Sequence, residues 1–350
     1  MSIPYRTRRR LNRLGAVFLV LLLIACLAWL CWVIWLQRYV VYSDDKAYLN
    51  FDLSANEVSG QVARPPEAAK NISIYYNEGA DAVNVEGELT TLNGYYITSD
   101  DFQENIDAVL LQVERLPAGT AVMIDMKGPF GSFFYSSKLS EAVISQKTNI
   151  DQVATLVKRM KSKGFYTIAR ISAFRDKTYG ENHVSNGLYL LNRRGLWMDK
   201  GGMYWLDPTN AAVTNWISSV AMELRDMGFN EVLLDDFCFP DSDQYIFNGD
   251  KAEALQKAAA TLMSTCSATN FTLSFCVSDP AFTLPEGRSR LYLKDIDASA
   301  IAAKAAQVTF EDPEIRLVFL CDTGDTRYDE YSVLRSIGVA EEVEARKGNQ

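Results

Sequence analysis

Two adjacent carboxylates close the apolar run Glu231-Val232-Leu233-Leu234-Asp235-Asp236, and Pro240 follows shortly after. Charged side chains are rarely buried unless they are paired or at work, so acid at the tip of so apolar a strand reads as the mouth of a site. Other runs end similarly. Residues 121–126 contain Asp125 and lead to Lys127, residues 166–174 hold Arg170, and Asp279, Asp297 and Asp322 follow later runs. Paired carboxylates beside aromatic faces can cleave a glycosidic bond, one as acid and the other as base or nucleophile. Trp197, Tyr204 and Trp205 lie in a long loop, 175–207, and offer faces on which a sugar ring stacks. Asp235 is the candidate acid/base or nucleophile, with Asp125, Asp207 or Asp236 as partner.

Each acid has a plainer reading as a helix N-cap or turn former, which fits Asp279 and Asp322 best. Strand side chains alternate, so Asp235 and Asp236 are expected to face opposite ways, whereas Asp125 and Lys127 share a face and can pair or line the site together. Arg170, inside an apolar run, needs a carboxylate partner. His183 is the only histidine, which removes a multi-imidazole zinc site, and a Ser-His-Asp triad would need it without any Gly-x-Ser-x-Gly elbow. Cys238, Cys266, Cys276 and Cys321 show no metal-ligand spacing and read as buried free thiols, with a disulfide among them the alternative outside the cell. No metal or cofactor is expected.

The elements that must position these groups alternate in type. From residue 94, short apolar strands alternate with amphipathic helices, the clearest over 101–114, 150–163, 212–227 and 250–266, with a short one over 328–337. Repeated β-then-α units imply parallel strands, and about 245 residues at 94–338 suit an α/β (β/α)8 TIM-like barrel, for which ~250 is typical. About seven strands are legible. No glycine-rich dinucleotide fingerprint follows any strand.

Residues 1–13 hold five arginines and no acid, while the whole chain carries −9, so the remainder is more acidic still and ill-suited to nucleic acid. Residues 14–36 are 23 positions without a charge, long enough for a transmembrane anchor. The basic tail places the N-terminus in the cytoplasm and residues 38–350 outside. Residues 37–93 read as a stalk and lead-in segment, and 339–350 as a charged tail. A cleaved signal peptide and a lipoprotein signal at Leu23-Ile24-Ala25-Cys26 are the alternatives.

Five motifs then occur in order: Gly94-Tyr95-Tyr96, Ile124-Asp125-Met126-Lys127, Ile168-Ala169-Arg170 with Phe174-Arg175-Asp176, Trp205-Leu206-Asp207-Pro208, and Gly228 through Pro240. In these the chain resembles a family of exported bacterial TIM-barrel proteins assigned as glycoside hydrolases and long catalogued as a domain of unknown function. The resemblance covers about 94–279 and implies a hydrolase of extracellular polysaccharide or cell-wall glycan. From Arg288 onward the chain shows little of the family's later pattern, so the barrel is expected to be shortened, remodelled or incomplete at its C-terminus. Asp125, Asp207, Asp235 and Asp236 would be its catalytic candidates, and Lys127, Arg170, Asp176, Trp197 and Trp205 would bind substrate. Asp236 stands where the family has Tyr and Cys238 where it has Arg, which leaves open a non-catalytic carbohydrate-binding or envelope-scaffold role on the same barrel.

Overall fold

The computed structural model describes residues 40–43, 46–49, 89–268 and 270–347, with the single positions 22, 25, 29 and 32. The chain divides into two units, 1–73 and 74–350. In the first, Val40–Ser43 and Lys46–Leu49 pair as an antiparallel hairpin. The basic tail, the segment 14–36 apart from those single positions, and most of 37–93 lie outside the described residues. Among the described residues no helix is long and apolar enough to cross a membrane.

The second unit holds eight parallel strands: β1 Asn93–Ile97, β2 Ala121–Lys127, β3 Tyr166–Ser172, β4 Glu231–Asp235, β5 Thr272–Cys276, β6 Leu291–Lys294, β7 Leu317–Cys321 and β8 Ser332–Ser336. Each pairs with the next, and β1 pairs with both β8 and β2, so the sheet closes into the expected (β/α)8 barrel. The close approach of β1 to β2 requires glycine at position 94, where a Cβ would lie 1.8 Å from the Ala121 carbonyl oxygen.

Four long helices cover the first half: α1 Ser99–Arg115, α2 Ile150–Ser162, α3 Ala211–Asp226 and α4 Lys251–Cys266. Their starts are written in the sequence. Thr98 and Asp101 form a reciprocal capping box on α1, and Asn149, Asn210 and Asp250 cap the other three. Gly228, at φ +86°, supplies the left-handed residue that ends α3 and aims the chain into β4.

The C-terminal half is remodelled yet complete. Residues 277–290 carry no helix between β5 and β6, and only short helices, Ile301–Ala305 and Pro313–Arg316, join β6 to β7. The segment expected as a helix over 328–337 is a 3-10 turn, Thr326–Glu330, followed by β8. Its local pattern suits either state. Strand pairing on both sides decides, with Val318↔Ser332 toward β7 and Leu334↔Gly94 toward β1.

Inward-facing residues form the barrel's own core, including Met123, Ile168, Leu233, Tyr292, Val318 and Leu334. Alternate residues such as Val122, Ala169, Val232 and Phe319 meet the helix layer. At the N-terminal floor, Glu231 is fully buried. It accepts from Arg290 Nη1 at 2.6 Å, Tyr292 Oη at 2.7 Å and Tyr166 Oη at 2.9 Å, while Arg290 Nη2 donates to the Thr90 carbonyl at 2.8 Å. Every oxygen of a charge so deeply buried needs such a partner.

Candidate active site

At the opposite, C-terminal end, the same inward faces turn from apolar to charged. Asp125 on β2, Arg170 on β3, Asp235 on β4 and Lys294 on β6 point into one mouth. Arg170 grips Asp125 with Nε and, at 3.0 Å, with Nη2, while its Nη1 lies 3.9 Å from Asp235 Oδ2. Asp125 Oδ2 also accepts the backbone N–H of Ser99 at 2.8 Å. Lys294 Nζ donates to Asp235 Oδ1 at 2.9 Å and lies 3.4 Å from Asp236 Oδ1. The Asp236 backbone N–H adds a bond to Asp235 Oδ1 at 2.8 Å.

Burial by itself would push Asp235 up, but Lys294 and Arg170 outweigh it and hold the carboxyl below its ordinary value. Asp235 is therefore an ionised carboxylate at neutral pH, equipped to attack or to stabilise positive charge rather than to donate a proton. Behind it, Cys276 is buried and its thiol is pushed well up by burial and then by Asp235. Burial also raises the thiol of Cys238, against a hydrogen bond with Ser278. Neither offers a thiolate nucleophile. All four described cysteines are free.

Asp235 and Asp236 do not face opposite ways. β4 ends at Asp235, and Asp236 adopts a left-handed backbone with φ +52°, which suspends strand alternation and turns its side chain back to the mouth. There Ser172 Oγ of β3 lies 2.7 Å from Asp236 Oδ2. Between β4 and β6 the mouth opens into a cleft of about 230 Å³ lined by Asp236, Cys238, Cys276, Ser278, Lys294 and Asp295, among others. A larger surface concavity of about 560 Å³ lies beside β7, around Asp322 to Thr326 and Arg346. One of its lining residues, Asp322, accepts from the Tyr96 hydroxyl, and the Tyr96 ring lies 5.9 Å from the Arg170 guanidinium.

Other candidates are placed elsewhere. A bulge between Asp125 and Lys127 breaks the shared face, and Lys127 pairs instead with Asp176 at 2.7 Å, both side chains almost fully buried. Asp176 also caps the short helix Lys177–Asn182 by accepting from Tyr179 N–H. That ion pair holds the β3 loop and is packed away from the open mouth. Asp207 is occupied by a turn, accepting from the Thr209 N–H at 2.9 Å and hydroxyl at 2.7 Å just before α3. Trp205 is buried, its indole N–H bonded to Asp199, which also binds Arg175 at 2.6 Å. It is a loop-packing residue and not a stacking face. Trp197 is half-buried against Tyr245, with ring centres 5.6 Å apart. His183 pairs with Glu141 at 2.6 Å. Among the described residues no group of three or more His, Cys, Asp and Glu is arranged to hold a metal.

Lys294 and Ser172 are the site residues that sequence reasoning missed. Their only signal was position: each ends a strand on its inward register, two residues beyond an inward neighbour, Tyr292 or Arg170.

The closed barrel and a mouth that gathers Asp125, Arg170, Asp235, Asp236 and Lys294 define a TIM-barrel protein with a carboxylate site at the C-terminal ends of its strands. A family described as "Putative glycosyl hydrolase domain" matches residues 94–274, and the chain belongs to that family. The match ends before Lys294. Among curated proteins nothing matches the chain. Among solved structures, an α-galactosidase from Lactobacillus brevis shares the fold at 10% identity and a TM-score of 0.50, over 75% of this chain and 40% of that one. This chain therefore spans less than half of that enzyme. A hypothetical protein from Ruminiclostridium thermocellum is 23% identical over 52% of this chain and 96% of its own, at a TM-score of 0.44. A variant of the glycoside hydrolase domain of PelA from Pseudomonas aeruginosa is 14% identical over 73% and 97%, at 0.41.

Proposed function

We propose that this protein is a membrane-anchored glycoside hydrolase whose barrel acts outside the cell on polysaccharide or cell-wall glycan. Family membership supports glycan hydrolysis, and the observation that carries the site assignment is the pair Asp235 and Asp236 held by one ammonium at the cleft. Asp235, ionised, attacks the anomeric carbon or stabilises the oxocarbenium-like transition state. Asp236, bonded by Ser172, handles the proton of the leaving oxygen and then of water. Asp125 orients Arg170 and leaves its own oxygens no freedom to react.

The uncharged stretch 14–36 behind five arginines supports the anchor and its orientation. Protease treatment of intact cells tests it: digestion of the barrel with the N-terminal tail protected is expected, and a barrel that resists until the cells are lysed overturns it.

A binding-only role is favoured by one observation, Cys238 at the cleft, where the family resemblance leads one to expect Arg. A glycan panel incubated with the full chain separates the two readings. Product from wild type and none from Asp235→Asn supports hydrolysis, and retention of a glycan without product supports binding.

A further inference from the structure

We propose that Lys294 is a positioning residue that ties Asp235 and Asp236 into one catalytic pair at a fixed spacing. The inference rests on the hydrolase reading of the mouth and assigns a part to a strand, β6, that lies outside the matched 94–274.

A left-handed backbone is unfavourable for most non-glycine residues, and Asp tolerates it better than most. Asp236 is held on two sides: Ser172 of β3 at Oδ2 and Lys294 of β6 at Oδ1. The same ammonium reaches Asp235 Oδ1. Both Oδ1 atoms contact one nitrogen, at 2.9 and 3.4 Å, so they lie no more than 6.3 Å apart. That upper bound falls below the ~6.5–9.5 Å of an inverting pair, which must admit a water. Lys294 keeps 43% of its side chain exposed, so its removal leaves no large void in the barrel. The groups facing Asp235 are Arg170 from β3, Cys276 from β5, Lys294 from β6 and Asp236 beside it. Lys294 is the cation in direct hydrogen-bond contact, and burial opposes it.

The test uses the full chain carrying side-chain ¹³C-carboxyl aspartate, with the Asp235 resonance assigned by its loss in Asp235→Asn. In Lys294→Met and Lys294→Gln the Asp235 midpoint should move to higher pH, and in Lys294→Arg it should return toward wild type. On a glycan from the panel that wild type cleaves, kcat should fall about tenfold or more with little change in KM, as misplacement of a reacting group predicts. The acid limb of the rate profile should move up with the midpoint. A midpoint unchanged in either folded neutral variant overturns the proposal. A midpoint that moves while wild type cleaves nothing overturns the hydrolase reading instead, leaving Lys294 as a partner of Asp235 alone.

Discussion

Arg170 commits two of its three guanidinium nitrogens to Asp125 and turns the third toward Asp235 at 3.9 Å. It is a bracket between β2 and β4 that joins the Asp125 carboxylate to the one proposed to react. Removing Asp125 leaves a nearly buried guanidinium without its main partner, which for buried pairs costs about 3–5 kcal/mol. Asp125→Asn should therefore destabilise the barrel by about 3 kcal/mol in urea unfolding, at the low end because both side chains retain some exposure. Asp125→Leu combined with Arg170→Met should recover part of that loss, since no charge is then stranded.

Asp207 and Asp235 should behave oppositely. Asp235→Asn should lower the rate of glycan cleavage by about 10²–10⁴ with a small effect on folding. Asp207→Ala should leave the rate close to wild type and cost about 1 kcal/mol of stability, the usual loss for a turn or cap oxygen. A large rate loss in folded Asp207→Ala would return that residue to the site.

The charge pairing at Asp235 has a defined pH signature. Its folded pKa is depressed, so it stabilises the fold above the unfolded value, ~3.9, and that contribution disappears as pH falls through the folded value. Wild type should be more stable than Lys294→Met from neutral pH down to about 4, and the gap should close below it. Urea midpoints at pH 7, 5 and 3 measure this, and a gap that widens in acid would contradict it.

The spacing of the Asp235–Asp236 pair fixes a stereochemical expectation. Product released from a cleaved glycan should first appear with the anomeric configuration of the bond that was broken. Proton NMR within the first minutes of reaction, before mutarotation, distinguishes the anomers. Net inversion would move the partner role away from Asp236 to a carboxylate farther from Asp235.

The strand tips bearing Asp125, Arg170 and Asp235 were legible because each interrupts or ends an apolar run, and periodicity located all four long helices. β8 was read as a helix because Tyr328 through Ile337 mixes polar and apolar residues in a pattern that fits both states, and only pairing with β1 and β7 selects the strand. Lys294 was hidden because β6 is just four residues long and its charge looked like an ordinary strand-end residue. The bulge after Asp125 and the left-handed Asp236 each re-aim a neighbouring side chain. Strand alternation, the rule available from sequence, predicts the opposite at both places. Trp205 and Asp207 have the right chemistry for a site, but local hydrogen bonds occupy the Trp205 indole N–H, with Asp199, and Asp207 Oδ1, with Thr209.

The Glu231 cluster has a mechanical side. Arg290 clasps the Thr90 carbonyl just before the chain enters β1, and through Glu231 it bolts that point to β4, with Tyr166 bringing in β3. The point where the chain enters β1 is thus fastened at the base of the staves, at the opposite end of β4 from Asp235.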